Sequence, residues 1–112
     1  LPISVHERFE ELTGRKIMEA YGLSEASSAT HITPYPHGAP RGSIGLPLPD
    51  TEARIMDVKT GQSECNVGEV GELVVKGPQI MQGYWNNKEL TEAVLRDGWL
   101  YTGDMARMDK EG

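Results

Sequence analysis

Residues 18–27 read MEAYGLSEAS, and Tyr21, Gly22, Ser24 and Glu25 put an aromatic ring, an open backbone, a hydroxyl and a carboxylate within five positions. Their flank reads as the end of a strand, so the four are predicted to share one exposed loop. A nucleotide would use all of them. An adenine offers a π-face on which Tyr21 can stack, and Gly22 has no side chain to hold the backbone away from a ligand. The Ser24 hydroxyl can hydrogen-bond a phosphate oxygen, and the Glu25 carboxylate can hold a hard divalent cation such as Mg²⁺. A β-to-loop turn with a packed tyrosine and a solvated glutamate accounts for the same residues, so this stretch alone leaves both readings open.

A second constellation is Tyr101-Thr102-Gly103-Asp104. An ionised carboxylate can accept both hydroxyls of a ribose cis-diol, and a tight glycine turn would aim Asp104 outward. The alternative is a turn in which Asp104 only bonds nearby backbone amides. A third group, Gly71 to Gly77 followed by Gly83-Tyr84-Trp85, reads as structure: Leu73 and Val75 as core, the aromatics as a packing corner with no chemistry.

These residues need elements to position them. Ser4-Val5-His6-Glu7 has the form of a capping box, and Val5, Phe9 and Leu12 recur at helical spacing until Gly14. Lys16 to Ala20 is predicted as a short buried strand entering the Tyr21 loop. From Thr33 to Pro49 the density of proline and glycine excludes regular structure over most of the segment. Strands are expected at 51–58 and 70–76, with a turn over Asp57-Val58-Lys59-Thr60-Gly61 between them. Asn86 with Glu89 is predicted to cap a short helix carrying Leu90, Ala93 and Val94 and ending near Asp97-Gly98, after which Trp99 to Met108 is extended. The expected fold class is α+β, mostly β: one helix–strand unit followed by part of a distorted antiparallel β-barrel.

Composition narrows the function. At 112 residues the chain is at most one small domain, and 38% hydrophobic content is enough for a globular core. A net charge of -6 argues against a nucleic-acid surface, which needs clustered Lys and Arg. No apolar run is long enough to span a bilayer and no signal-peptide pattern opens the chain, so a cytoplasmic location is expected. Cys65 is the only cysteine, which excludes an internal disulfide; it sits in a polar loop with no base beside it, a poor setting for a nucleophile. His6, His31 and His37 show no metal-ligand spacing, and His31 is open to either a surface role or a place beside a substrate pocket. Leu1 without an initiator Met, and a turn signal at Asp109-Lys110-Glu111-Gly112, predict a piece of a longer polypeptide.

The order and spacing of these segments resemble the adenylate-forming (AMP-binding) superfamily: acyl-CoA synthetases, luciferases and the adenylation domains of peptide synthetases. Tyr21-Gly22-Leu23-Ser24-Glu25 resembles the family's adenine and magnesium motif, and Gly42-Ser43-Ile44-Gly45-Leu46-Pro47 the segment after it. Gly71-Glu72-Leu73 with Gly77 and Gly83-Tyr84-Trp85 resembles the next motif, and Tyr101-Thr102-Gly103-Asp104 the ribose motif. The resemblance covers essentially the whole chain. It implies that residues 1–50 end a nucleotide-binding α/β subdomain and that 51–112 belong to a β-barrel subdomain.

It also implies a two-step reaction in which a carboxylic acid attacks the α-phosphate of ATP, giving an acyl-adenylate and pyrophosphate, and a thiol, usually of coenzyme A, then displaces AMP. Ser24 and Glu25 would act in the first step, with Glu25 holding Mg²⁺. Tyr21, Gly22, Ser24 and Asp104 would bind the nucleotide. Ser24 stands where relatives often carry Thr, which retains the hydroxyl, and Ala20 stands where a glycine is frequent. No Gly-rich Ser/Thr loop ending in Lys-Gly occurs, and the family's hinge, nearby arginine and catalytic lysine would lie beyond Gly112. The chain by itself is therefore expected to be inactive. The alternatives are a catalytically inert structural fragment or an adenine-nucleotide binding module. Unpaired strand edges are expected to make the isolated chain self-associate.

Overall fold

Pro2 has the fixed φ that suits a helix start, and its carbonyl accepts from the amides of Val5 and His6 at 3.0 and 3.1 Å. The first helix, α1 (Ile3–Thr13), therefore begins one residue before the predicted cap. Ser4 lies inside its first turn and makes no capping bond, and Glu7 pairs instead with Arg41. Gly14 ends the helix in the left-handed conformation as expected, its amide bonding the Glu10 carbonyl. Val5, Phe9 and Leu12 face no core: no residue of α1 is buried.

A computed structural model describes all 112 residues, and beyond α1 it has two antiparallel sheets. The first contains β1 (Ala20–Leu23), β2 (Ser28–Ile32) and β3 (Leu46–Pro47), in that spatial order. The predicted buried strand at 16–20 is corrected by this arrangement. β2 pairs β1 only from Ala20 to Leu23, so residues 15–19 have no strand beside them and stay largely exposed. They are held by the Ile17 amide on Glu10 at 3.4 Å, by the Glu19 amide on Thr33 Oγ1 at 3.0 Å, and by one backbone bond from the Thr33 amide to the Glu19 carbonyl at 2.9 Å.

The second sheet, curled into a half-barrel, has the order β4 (Glu52–Met56), β5 (Gly71–Lys76), β7 (Trp99–Ala106), β6 (Leu95–Arg96). Its hydrophobic run Leu73-Val74-Val75 lies on the central strand β5 and is buried on both faces, as a fully covered strand should be. Two expected boundaries move. The cap of α2 (Lys88–Val94) is Asn87, whose side chain accepts from the Leu90 amide at 3.0 Å, because Asn86 takes a left-handed φ of 48° in the turn before it. Asp97-Gly98 is not a helix end but the two-residue turn of the β6–β7 hairpin, with φ of 51° and 81° at its two positions.

The core is small: Ile55, Leu73, Val75 and Leu100 from the second sheet, plus Ala26 inserted from the segment after β1. Partly buried Tyr21, Leu23 and Ile80 pack against it, so the two sheets share one seam. α1 joins the body through charge. Glu10 meets Lys16 at 3.1 Å and His6 at 3.3 Å, and Arg41 reaches both Glu7 and Glu10 from the proline-rich loop.

Two tests follow from this packing. Leu100→Ala should destabilise the chain by about 2–5 kcal/mol in urea unfolding, because it removes a buried side chain from so small a core. Met105→Ala, at an exposed position of the same strand, should stay within about 0.5 kcal/mol. The Glu10 carboxyl is held below the usual carboxylate range, chiefly by its hydrogen bond from Lys16. A depressed carboxylate adds stability that is present above its unfolded pKa and is lost as pH falls through the folded value. Glu10→Gln should therefore lower the thermal midpoint near neutrality, and the gap from the parent chain should close at acid pH.

Candidate functional site

β1 carries Tyr21 and Gly22 to the seam and then turns sharply. Ser24–Ala26 form one 3₁₀ turn, closed by Ser27 in the left-handed region, whose amide bonds the Ser24 carbonyl at 3.1 Å. Ala26 is fully buried against the second sheet, and this small apolar side chain fixes the turn where it is. The Met81 amide donates to the Glu25 carbonyl at 2.7 Å and locks the backbone from the other side.

Gly22 has a reason other than ligand approach. A Cβ built there would lie 1.6 Å from the Ser28 carbonyl oxygen, so the space is filled by the chain itself where β1 and β2 slip register. The extra residue in that slip is Thr30, between the pairs Tyr21 with His31 and Gly22 with Ala29. Ser24 is exposed, beside a shallow depression lined by Tyr21, Gly22, Leu23 and Ser28.

Asp104 reaches the seam by a second irregularity. Between the pairs Val74 with Tyr101 and Glu72 with Met105, β5 has the single residue Leu73, while β7 has Thr102, Gly103 and Asp104. The bulge is pinned at both ends: Thr102 Oγ1 donates to the Leu73 carbonyl at 2.7 Å, and the Gly103 amide donates to Glu72 Oε1 at 3.0 Å. A bulge re-aims the side chain it displaces, and here Asp104 is lifted from the ladder toward Tyr21. The Tyr21 hydroxyl donates to Asp104 Oδ2 at 2.6 Å. Burial first, and the Asp104 bond second, push the Tyr21 phenol up to about 12, so it stays a neutral donor.

Glu25 has an equivalent partner that the sequence reading missed. The Tyr84 hydroxyl donates to Glu25 Oε1 at 2.6 Å. That bond holds the Glu25 carboxyl below the usual range and pushes the Tyr84 phenol up. The packing corner predicted for Tyr84 and Trp85 is thus corrected on both counts: Tyr84 bonds a site carboxylate, and Trp85 is 91% exposed. The sequence carries no signal for this pairing, because 59 positions separate the partners.

The candidate site therefore consists of two tyrosine–carboxylate pairs, Tyr21 with Asp104 and Tyr84 with Glu25, and the exposed Ser24 next to Glu25 in sequence. Glu25 and Asp104 each accept from a tyrosine and neither is in an ion pair, so no lysine or arginine offsets either carboxylate. No group of three or more His, Cys, Asp or Glu side chains is placed to hold a metal ion, so Glu25 stands without a second carboxylate, imidazole or thiol set around it. His31 is buried beside the Tyr21 ring, with Nδ1 2.9 Å from Thr30 Oγ1, which excludes the surface role; burial pushes its imidazole down, favouring the neutral ring. The Cys65 thiol is pushed up by burial and by Glu69, Asp57 and Glu64, unlike an activated nucleophile. A separate cavity of about 590 Å³ between α1 and the proline-rich loop contains none of the predicted site residues.

Comparison with known proteins gives this geometry a family. A family model described as AMP-binding enzyme matches residues 1–85. The long-chain-fatty-acid–CoA ligase of Bacillus subtilis is 54% identical over 112 residues, covering 100% of this chain and 20% of that protein. The luciferin 4-monooxygenase of Photinus pyralis is 45% identical over 96 residues, 85% of this chain and 17% of its own length. Among solved structures, ATP-bound MatB from Rhodopseudomonas palustris superimposes with a TM-score of 0.91 at 34% identity, over 97% of this chain and 22% of that one. The chain thus spans about a fifth of the proteins it matches. With four motifs in order, two sheets in the same arrangement and an identity above half to one relative, the chain belongs to the AMP-binding enzyme family.

Proposed function

We propose that the protein carrying this segment is an AMP-forming acid–thiol ligase, which activates a fatty or other organic acid with ATP and transfers it to coenzyme A. The observation that carries this reading is convergence: Tyr21, four positions before Glu25, meets Asp104 across 83 positions of sequence, its hydroxyl 2.6 Å from Asp104 Oδ2. The name of the Bacillus subtilis relative favours a long-chain fatty acid as the acid.

In this reading residues 1–50 supply the adenine and Mg²⁺ loop of the nucleotide-binding subdomain, and 51–112 the ribose motif of the barrel. The Tyr21 ring stacks on adenine while its hydroxyl holds Asp104. Each carboxylate oxygen can accept more than one hydrogen bond, so Asp104 can take the ribose hydroxyls and keep Tyr21. Ser24 is exposed at the edge of the site and donates to a phosphate oxygen. Glu25 suits a Mg²⁺ ligand: it stays ionised, one oxygen is fixed by Tyr84, and Oε2 is free. Bound there, Mg²⁺ would neutralise charge on the phosphates. Gly22 serves by letting β1 and β2 approach closely enough to shape the turn.

Coenzyme A, the acid and a cytoplasmic location complete the proposal. Self-association of the isolated chain through its unpaired strand edges is also proposed. Leu73, Val74 and Val75 are covered within the chain, so the edges left are those of β6 and of the part of β4 that residues 63–65 do not pair. A monomer mass by light scattering at low micromolar concentration would overturn it. An adenine-nucleotide binding module remains the second reading, because the site geometry alone would serve binding without chemistry; an inert structural fragment is not favoured by the family match.

In the protein carrying this segment, Asp104→Ala should weaken ATP binding by about 1.5–3 kcal/mol, the range for hydrogen bonds to a charged group. Glu25→Ala should act mainly on the adenylation rate and its Mg²⁺ dependence. Unchanged kinetics in both variants would sink the assignment. The 112-residue chain alone should show no acid-dependent pyrophosphate exchange, since no Gly-rich phosphate loop is present; exchange above a buffer control would contradict this.

A further inference from the structure

Tyr84 is held in place more tightly than a half-buried surface tyrosine requires. Its amide donates to Thr91 Oγ1 at 2.9 Å, and its carbonyl accepts from the Asn87 amide at 3.3 Å. Thr91 in turn donates to the Asn87 carbonyl at 2.8 Å, so the first turn of α2 clamps the residue that precedes it. Gly83 completes the clamp: it has a φ of 151°, and a Cβ there would lie 2.8 Å from Thr91 Cγ2. No such restraint acts on Trp85, which points into solvent. The other partner is equally fixed, because Glu25 sits between the buried Ala26 and the Met81 amide that bonds its own carbonyl. Two backbones are thus set in advance so that one hydroxyl and one carboxylate oxygen meet at 2.6 Å.

We propose that Tyr84 is a positioning residue for the reaction: its hydroxyl occupies Oε1 of Glu25 and thereby fixes the rotamer in which Oε2 is presented to the Mg²⁺ of the bound nucleotide. This rests on the reading of Glu25 as the Mg²⁺ carboxylate. A flexible glutamate would have to be ordered each time the cation bound, whereas a hydrogen bond from a rigid ring orders it beforehand. The structural alternative is that the pair only ties the two sheets together. That role would affect nucleotide binding with and without metal alike.

The test compares Tyr84→Phe, Glu25→Gln and the double variant in the protein carrying this segment, by calorimetric titration of ATP at increasing Mg²⁺ and by steady-state kinetics. Tyr84→Phe keeps the ring and should raise the Mg²⁺ concentration for half-maximal ATP binding by about tenfold, as loss of an outer-sphere partner typically does. ATP binding without Mg²⁺ should be unchanged, kcat should recover at saturating Mg²⁺, and the double variant should be no worse than Glu25→Gln. Thr91→Val removes the acceptor for the Tyr84 amide and should move the Mg²⁺ dependence in the same direction, so the idea stays testable if the first variant folds poorly. If Glu25→Gln alters the Mg²⁺ dependence while Tyr84→Phe and Thr91→Val leave it at the parent value, the inference falls and the Glu25 reading stands. If none of the three alters it, the Glu25 reading falls as well. Equal weakening of ATP binding with and without Mg²⁺ would make Tyr84 a tie between sheets and overturn the inference.

Discussion

The rest of the structure depends on Ala26. A fully buried methyl group at the end of a one-turn helix docks the Tyr21–Glu25 segment onto the core of the second sheet. With only 10 of 112 residues buried, the chain has few other ways to hold two sheets together. Everything nearby follows from that contact. The Glu25 backbone comes within reach of Met81, the Glu25 side chain meets Tyr84, and Tyr21 faces Asp104. A larger residue at position 26 would push the turn off the sheet and separate all three pairs together.

Both halves of the site are built at places where a sheet departs from regularity. A regular antiparallel ladder alternates its side chains and would have kept Asp104 in the pleat of β7. The bulge beside Leu73 frees it, while Thr102 and Glu72 satisfy the backbone groups the ladder loses there. The slip after Tyr21 does the same for β1, and a missing side chain at Gly22 makes room for it. Irregularity is confined to the residues that form the seam; the β4–β5 ladder runs without a break.

The choice of donors matters as much as the geometry. Glu25 and Asp104 are oriented by tyrosine hydroxyls and pair with no lysine or arginine, while Lys16 and Arg41 serve the Glu10 cluster and Arg54 stacks on Trp99. An arginine would orient a carboxylate equally well, but it would cancel its charge. A phenol orients the carboxylate and leaves the charge available for a cation or a hydroxyl-rich ligand. That is the electrostatic sense of two tyrosine–carboxylate pairs on one seam.

Much of this was determined by the sequence alone, because it depends on neighbours along the chain. A strand over 70–76 with Leu73 and Val75 in the core was legible, the Asp57 turn follows from its own side chain bonding the Lys59 amide, and Gly14 had to stop α1. The four motifs, in order, pointed to the family and offered Tyr21, Ser24, Glu25 and Asp104 as candidates. Competition between bonding partners decided the rest. The Pro2 carbonyl displaced Ser4 as the start of α1, Asn87 displaced Asn86 as the cap of α2, and residues 15–18 stayed out of a sheet because the β1–β2 ladder begins only at Ala20. Tyr84 could not be read as a site residue from its surroundings, since only folding brings it to a carboxylate 59 positions away. Local bonds are written in local sequence; which hydroxyl meets which carboxylate is decided by how the two sheets close on Ala26.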